Sequence, residues 1–371
     1  MIYTLSIDTR KFLLPLHLWS GLTLGLLLIV MATSGALLVY RSSIDQRIRP
    51  ELYTVTPGSV RLPADELVAR ARVAHPSAEL ESVRYYGDAT APFLVYYTNK
   101  EYVHLNPYTG AVLGIRKRYG EGMGWVEGMH KFFQLEPSIG EPITGYTALV
   151  FGFIIVSGIV LWWPATRRAL KAGLTINQKL SGRPWNLSLH KAIGIYAALV
   201  LLLNVVTGVP ISLDWAKNSL YVLTGSKKVL PPQVLVAGGR ESFAGFTAAA
   251  QSLAAAMPRA RETYIPLAKN GVVAAYVIEA HADHPIARSY VWLESASAKV
   301  LKISPYTEAG AGFRLYYWGM ALHTGVMGGW VMQILLLLGS LAVPVLAYTG
   351  LASYLKRKKG HRAAGFAGLP R

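Results

Sequence analysis

The stretch HLWSGLTLGLLLIVMATSGALLVY, residues 17–40, is long and apolar enough to cross a lipid bilayer. A spanning helix needs about 20 apolar residues, and four stretches meet that requirement, at 13–40, 143–163, 192–213 and 330–354. The first is too long for the apolar part of a secretory signal, and no Ala-x-Ala site follows it. The sequence therefore predicts an α-helical membrane protein with four transmembrane helices, the first of them retained.

The positive charge of the chain is concentrated in short segments. The net charge of the 371 residues is +17, with six basic and no acidic residues in 164–191 and six more unopposed in 356–371. The long segments are nearly balanced, with 11 basic against 10 acidic residues in 41–129 and 11 against 7 in 214–322. This asymmetry is typical of membrane topology and not of nucleic-acid binding, so no nucleic-acid partner is expected. We predict a multi-pass protein of the bacterial inner membrane with both termini cytoplasmic and the long segments in the periplasm.

The chain contains no cysteine. Disulfides, cysteine-ligated iron–sulfur clusters, thiol catalysis and covalent attachment of haem through a Cys-x-x-Cys-His motif are therefore all excluded.

The two halves of the chain repeat each other. His17 is followed by Gly21 and Ser34-Gly35, and His190 by Gly194 and Thr207-Gly208, so both helices read His-x3-Gly-x12-[Ser/Thr]-Gly. The other two helices are related in the same way, because His130 precedes Ser157-Gly158 and His323 precedes Thr349-Gly350 with nearly equal spacing. The sequence predicts a duplicated unit of helix, outside domain and helix.

The outside segments are also related. Each predicts one helix, at 62–76 and at 241–258, and strand-like runs at 79–86, 93–97, 102–105 and 111–117 in the first and at 261–267, 271–280 and 289–303 in the second. The runs VHLNPYTGAVL and VWLESASAKVL align across the two copies. Each segment therefore predicts a small α+β domain too polar to enter the bilayer.

These motifs together resemble a known family. The ordered set LHLWSGL, HKFFQLEPSIGEPITGY, SGIVLWWP, LHKAIGIY and LHTGVMGGW is similar to that of the PepSY-associated transmembrane family of bacterial inner-membrane proteins. The outside segments, with the strand turn NPYTG in the first copy, resemble PepSY domains. Within the family, the size and four-helix layout resemble ferric-siderophore reductases of the FoxB type, which implies two haem b groups and reduction of ferric siderophore.

The predicted organisation follows from the topology and this resemblance. It comprises a cytoplasmic amino terminus with the first helix (1–40), a PepSY-like periplasmic domain (41–129), a periplasmic helix start with the second helix (130–163), a cytoplasmic loop (164–189), the third helix (190–213), a second PepSY-like domain (214–322), the fourth helix (323–355) and a basic cytoplasmic tail (356–371).

Four histidines lie at or near the ends of the four predicted helices. The topology places His17 and His190 at the cytoplasmic level and His130 and His323 at the periplasmic level. Placing an ionisable side chain near hydrocarbon costs free energy. Binding of neutral imidazoles to haem iron would explain why histidines occur there. We therefore predict all four as axial haem ligands, although packing or proton handling is the alternative for each.

The small residues around these histidines fit the same hypothesis. Gly21 and Gly194 lie one turn from His17 and His190 on the same helix face and are predicted to make room for a porphyrin. Ser34-Gly35 and Thr207-Gly208 are predicted to receive the edge of a second haem about 26 Å further along each helix. Because Pro137 and Pro142 lie between His130 and the apolar part of its helix, the chain is expected to bend there.

Basic and aromatic residues complete the predicted sites. Cations that could pair with haem propionates are Arg10, Lys11 and Lys191 at the inner site and Lys131 and Arg314 at the outer site, with membrane anchoring as the alternative. The aromatic run Tyr316-Tyr317-Trp318 before His323 is a candidate docking surface for an iron chelate, or ordinary packing. The other histidines, among them His75 and His104, are expected to be surface or packing residues.

Three functions compete at this point. The first is a transmembrane haem-dependent ferric-chelate reductase that takes electrons from a cytoplasmic donor or a quinol and releases iron from ferric siderophore in the periplasm. The second is a membrane sensor without haem, in which the PepSY-like domains bind a peptide or protein. The third, ion-coupled transport, is disfavoured because the spans carry essentially no carboxylate.

Overall fold

The computed structural model of the protein describes residues 7–232 and 242–367. The ends of the predicted cytoplasmic segments, at 1–6 and 368–371, and residues 233–241 of the second outside segment lie outside the described residues. The chain divides into two compact units. Among the described residues, the helical unit comprises 7–39, 127–217 and 322–367, and the sheet unit comprises 40–126, 218–232 and 242–321.

Within the part of the chain that the structure describes, four helices are long and apolar enough to cross a membrane, at Asp8–Leu38, Pro137–Trp162, Gly182–Ser212 and Gly329–Lys358. They belong to the helices α1 (Ile7–Leu38), α6 (Pro137–Trp162), α8 (Gly182–Ser212) and α12 (Gly329–Ala367). A helix satisfies all its backbone hydrogen bonds internally, which is what hydrocarbon demands of a spanning segment. The four predicted spans are therefore present as helices.

The remaining helices are shorter. They are α2 (Arg41–Ile48), α3 (Pro50–Tyr53), α4 (Ala64–Ala74), α5 (Gly122–Phe132), α7 (Arg167–Leu174), α9 (Asp214–Leu223), α10 (Phe246–Ala256) and α11 (Ala311–His323), with a 3-10 turn at Tyr306–Glu308.

The four long helices form a ring. Helix α1 packs against α6 and α12, and α8 also packs against α6 and α12, so α1 and α8 face each other across the centre. The middle of the bundle is filled by apolar side chains, among them Leu28, Ile155, Leu201 and Val343, all less than 10% exposed. Leu28 and Leu201 are each 11 residues after the histidine of their helix. The duplicated sequence thus places equivalent residues in the same core.

Two of the spans are preceded by a separate short helix. Helix α5 ends at Phe132, and Phe133 and Gln134 take left-handed backbone angles before α6 begins at Pro137. Helix α11 ends at His323, and positive φ angles at Gly325, Gly328 and Gly329 precede α12. The bend predicted after His130 is present, and it lies at Phe133–Gln134 because a left-handed residue ends a helix. Pro142 lies inside α6.

The sheet unit is built around one antiparallel sheet. Its strands are β1 (Leu80–Tyr86), β2 (Phe93–Tyr97), β3 (Glu101–Leu105), β4 (Val112–Lys117), β5 (Ala260–Pro266), β6 (Val272–Glu279), β7 (Ser289–Glu294) and β8 (Val300–Ser304). Among the described residues the strand order is β4-β3-β2-β1-β5-β6-β7-β8, so the first strands of the two repeats join edge to edge.

The two outside segments, predicted from the sequence as two domains, share one core. Helices α4 and α10 pack on one face of the sheet, over buried residues of both repeats such as Val83, Val95 and Ile265. Asp65 of α4 accepts hydrogen bonds from the backbone nitrogens of Phe246 and Thr247 at the start of α10. A carboxylate satisfies free amides and the dipole at a helix start, so this contact ties the repeats together.

Candidate functional site

The structure brings the four predicted histidines together in two pairs inside the helical unit. The ring centroids of His17 and His190 are 6.3 Å apart, and those of His130 and His323 are 6.1 Å apart. The first pair comes from the amino-terminal halves of α1 and α8, and the second from the last turns of α5 and α11. These are the pairs that the predicted topology defines.

Each imidazole rests on a [Ser/Thr]-Gly step of the neighbouring long helix in its own half. His17 lies on Ser157-Gly158, His130 on Ser34-Gly35, His190 on Thr349-Gly350 and His323 on Thr207-Gly208. A Cβ atom at Gly35 or Gly208 would lie 2.9 or 2.8 Å from the Cε1 atom of the ring. Glycine is therefore required there so that the imidazole can approach the helix backbone.

This packing changes the interpretation of two predicted features. Ser34-Gly35 and Thr207-Gly208 are predicted from the sequence to receive the edge of a porphyrin, but the imidazoles of His130 and His323 occupy these steps. Repeat symmetry alone did not distinguish a receptacle for a ring of the protein from one for a cofactor. Gly21, in contrast, has no atom within 4 Å of the position of a Cβ, and the nearest atom to Gly194 is Leu346 Cδ2 at 3.6 Å. Their predicted use by a porphyrin stays a prediction.

The hydrogen bonds fix which ring nitrogen carries the proton in the second pair. Nδ1 of His130 is 2.9 Å from the carbonyl oxygen of Met31, and Nδ1 of His323 is 3.1 Å from that of Asn204. A carbonyl oxygen can only accept, so each Nδ1 must donate a proton. In both cases the accepting carbonyl belongs to the residue four positions before the receptacle glycine.

In the first pair, hydroxyl groups fix the proton on Nδ1 in the same way. Nδ1 of His17 is 3.0 Å from Ser157 Oγ, and Nδ1 of His190 is 2.9 Å from Thr349 Oγ1. Each hydroxyl donates its own proton to a carbonyl of its helix, at Ile154 and at Val345, so it accepts from Nδ1. All four neutral imidazoles therefore carry the Nδ1 proton and leave the lone pair of Nε2 available.

Burial disfavours the charged form of both rings of the second pair. It lowers the pKa of His130, and burial together with repulsion from His130 lowers the pKa of His323 to about 4. Neutral imidazole is the form that binds a metal ion. No described hydrogen bond involves Nε2 of any of the four rings.

The separation within each pair suits one metal ion between two imidazoles. A metal–imidazole bond is about 2.0–2.1 Å long, so opposed ligands place their Nε2 atoms about 4 Å apart. Adding about 1.1 Å from each nitrogen to its ring centre gives centroids about 6.3 Å apart, which agrees with 6.3 and 6.1 Å. The interplanar angles of 87° and 46° are compatible, because each ring can rotate about the common axis.

The donor set favours haem over a free metal ion. Over the described ranges, no group of three or more His, Asp or Glu side chains could hold a metal ion. Two imidazoles alone leave most coordination positions of a metal unfilled, whereas haem supplies four equatorial nitrogens and takes two axial ligands. The residues present therefore fit two haem groups with paired histidine ligands.

The basic residues predicted near the sites have varied surroundings. Arg10 donates to the carbonyl of Trp163 at the end of α6, at 2.6 Å, and Lys131 lies 3.8 Å from Glu141. Lys11, Lys191 and Arg314 are exposed. The two contacts stabilise a helix end and pair a surface charge, and contact with haem propionates stays a prediction for all five residues.

Sequence reasoning missed the four acceptors of the Nδ1 protons. They are Ser157, Thr349 and the carbonyls of Met31 and Asn204. The signal was present, because all four long helices repeat the [Ser/Thr]-Gly step, but only the fold reveals which histidine each step receives. Tyr317, by contrast, is buried in a cluster with Tyr306 and Phe313.

A helical membrane unit with two facing pairs of histidines, continuous in sequence with an antiparallel sheet unit, defines the class of this protein. The chain matches the family described as the PepSY-associated TM region over residues 14–357, and it belongs to that family. No curated protein sequence matches the chain.

Proposed function

We propose that this protein is a b-type di-haem oxidoreductase of the bacterial inner membrane that passes electrons across the bilayer and reduces ferric siderophore in the periplasm. The observation that carries the proposal is the pairing of four imidazoles at 6.3 and 6.1 Å, each with Nδ1 engaged and Nε2 free. The FoxB-type resemblance of the sequence supports the same substrate class.

The protein contributes fixed ligands at two depths. His17 and Ser34 lie 17 residues apart on α1, about 26 Å at 1.5 Å per residue, which approaches the thickness of about 30 Å of the hydrocarbon layer. His17 marks the first site and Ser34 contacts His130 of the second, so the same helix holds both sites. The apolar residues of the bundle core between them exclude water.

Haem supplies reversible one-electron chemistry when it is bound. Residues of the chain orient the imidazoles that would hold the haem. Ser157 and Thr349 orient one pair of imidazoles, and the carbonyls of Met31 and Asn204 orient the other. Reduction of Fe(III) to Fe(II) in a siderophore lowers the metal charge, so hard oxygen ligands bind the iron less tightly and release it for import. We propose a quinol or a cytoplasmic reductant as the donor, with both termini on the cytoplasmic side.

Absorption spectroscopy tests the proposal. The purified protein should be red and show a Soret band, with sharp α and β bands after reduction by dithionite. His190→Ala and His323→Ala should each remove about half of the haem, and the double variant should remove all of it, because each pair holds one group. His281→Ala, at an exposed histidine, is the matched control and should keep both haems. Colourless protein from haem-supplemented cells would overturn the proposal.

One observation favours the second candidate, a peptide-binding sensor. An apolar groove of about 280 Å³ lies between α4 and α10 in the sheet unit, lined by residues such as Leu62, Phe93 and Ala250. Such a groove can take the apolar side chains of a peptide. The absence of haem from the purified protein, together with binding of apolar peptides, would favour this function.

A further inference from the structure

The face of the sheet opposite α4 and α10 carries arginines among tyrosine rings. We call it the arginine–tyrosine face and define it by Arg84, Tyr96, Tyr264, Tyr276, Arg288 and Tyr317. Arg84 pairs directly with Tyr264 across β1 and β5, and Tyr264 pairs with Tyr276 across β5 and β6. Directly paired residues point to the same side of a sheet, and their neighbours Val83, Ile265 and Val277 are fully buried on the other side.

Arg84 lies at the centre of this face and has partial compensation. Its guanidinium lies 5.3 Å from the ring centre of Tyr96 and 5.6 Å from that of Tyr264. It donates to the hydroxyl of Tyr276 at 3.0 Å, and its Nε is 3.5 Å from Glu262. The Arg84 side chain is 26% exposed, so solvent reaches it.

Arg288 lacks such compensation. Its guanidinium lies 4.2 Å from the ring centre of Tyr276 and 5.4 Å from that of Tyr317. Its Nε is buried without a hydrogen-bond partner, and no described residue forms a hydrogen bond or an ion pair with this side chain. A buried donor without a partner is costly and rare in proteins. Ring contacts stabilise the charge from above the guanidinium plane but leave the buried Nε–H without an acceptor.

The charges of this face do not balance. Glu262 is the carboxylate that faces Arg84, whereas Arg84 and Arg288 carry two positive charges close enough to affect each other. Burial raises the pKa of Tyr276 to about 12, so its phenol is neutral at physiological pH. The face therefore has an excess of positive charge and planar donors that suit anionic oxygen atoms.

We propose that the arginine–tyrosine face binds an anionic ferric chelate, of the catecholate or carboxylate type, through Arg288 and Arg84. This inference rests on the proposed function, whose substrate class it narrows: anionic chelates should bind, and neutral hydroxamate chelates should not. The partly exposed rings of Tyr96 and Tyr264 add surface against which aromatic catecholate rings can stack, whereas Tyr276 and Tyr317 are buried behind the arginines. Tyr317, whose ring lies beside Arg288, belongs to α11, the helix that ends at His323.

Equilibrium dialysis with a redox-inert probe measures binding without turnover. The probe is gallium(III) tris(catecholate), a trianion, and the control probe is the neutral gallium(III) tris(acetohydroxamate). The full-length protein should bind the first and not the second, and added salt should weaken binding because the attraction is between charges. Equal binding of both probes would overturn the proposal.

Two substitutions of opposite sign separate binding from folding. Arg288→Gln should weaken binding of the trianion by about tenfold or more, because it removes a charged donor, and Arg288→Lys should restore part of the affinity. Glu262→Gln should strengthen binding, because it removes the competing carboxylate. Arg72→Gln, at an exposed position on α4, is the matched control and should change nothing. If Arg288→Gln fails to fold, the Glu262→Gln result decides.

The haem content of each variant separates this inference from the proposed function. Arg288→Gln with both haems and weaker binding supports the inference. Loss of haem in a folded Arg288→Gln protein would mean that the arginine serves the cofactor, and unchanged affinity would mean that it serves only packing; either result overturns the inference. Wild-type protein that binds the trianion without any haem would overturn the proposed function and leave the anion site standing.

Discussion

The two histidine pairs reach nearly the same geometry from different parts of the chain. His17 and His190 lie within the spanning helices α1 and α8, whereas His130 and His323 lie on the short helices α5 and α11, before a break in the backbone. The ring separations nevertheless differ by only 0.2 Å, from 6.3 to 6.1 Å. The helix that receives an imidazole therefore positions it as much as the helix that carries it.

The pairs differ in what accepts the Nδ1 proton. Hydroxyls of Ser157 and Thr349 accept it in the first pair, and backbone carbonyls are the nearest acceptors in the second. A hydroxyl can be removed by mutation and a carbonyl cannot. The first pair is thus open to adjustment by single side chains, and the second is fixed by the main chain.

The largest effect should come from filling the receptacle of the second pair. Gly208→Ala places a Cβ 2.8 Å from Cε1 of His323, whereas Gly350→Ala places one 3.7 Å from His190, which is ordinary contact. We expect Gly208→Ala to displace the ring, remove one haem and cost about 1–3 kcal/mol of stability. Gly350→Ala should keep both haems. Haem per protein and thermal unfolding measure the effect, and equal haem loss in the two variants would show that the receptacles do not position the rings.

His104 of the sheet unit sharpens the comparison, because it has half of the same arrangement. Its Nδ1 donates to the carbonyl of Leu52 at 2.7 Å and its buried Nε2 has no partner, but tyrosine rings and no second imidazole face it. His104→Gln should therefore keep both haems. If the His104→Gln variant loses a haem, a pair of facing imidazoles is not what defines a haem site.

The same histidine should make the stability of the sheet unit depend on pH. Burial lowers the pKa of His104 to about 4, so below pH 6.5 the unfolded chain takes up a proton that the folded chain refuses. The contribution of His104 to the free energy of unfolding is fully present well above pH 6.5 and falls as the pH drops toward 4, by about 1.3 kcal/mol between pH 7.5 and 5.5. His104→Gln should remove this part of the pH dependence. Identical pH profiles of wild type and variant, measured by chemical unfolding, would contradict the assignment.

The smallest effect should come from the hydroxyl groups. Thr349→Val removes the hydroxyl that accepts the His190 proton at 2.9 Å, so the ring keeps its backbone contact with Leu346, whereas Thr207→Val leaves the carbonyl of Asn204 to accept the His323 proton at 3.1 Å. A hydrogen bond of about 1 kcal/mol corresponds to about 40 mV for a one-electron couple. Thr349→Val should raise one midpoint potential by about this amount, because a less electron-rich imidazole stabilises Fe(III) less. Redox titration should detect no comparable shift of a midpoint potential in Thr207→Val. Equal shifts in the two variants would show that the two pairs do not differ in how their Nδ1 protons are accepted.

The hairpin turns of the outside segments illustrate how local pattern succeeds. In NPYTG, the side chain of Asn106 accepts from the backbone of Tyr108 and Thr109, and Gly110 has a φ of 69°. The second copy reads ESASA, yet β7 and β8 still pair, and Ala298 takes the left-handed angle, with a φ of 55°. Alternating hydrophobicity fixed the strands in both copies, so a different turn did not change the pairing.

By itself, the sequence determined the four spans, the repeat, most strands and the identity of the paired histidines. These follow from apolar length, from alternation along the chain and from spacing within one helix, which are all local quantities. Only the tertiary structure decided that the two outside segments form one sheet, that each [Ser/Thr]-Gly step receives an imidazole of a neighbouring helix, and that the Nε atom of Arg288 is buried without a hydrogen-bond partner. Those facts depend on contacts between residues far apart in the chain, and a single sequence does not specify which distant surfaces meet.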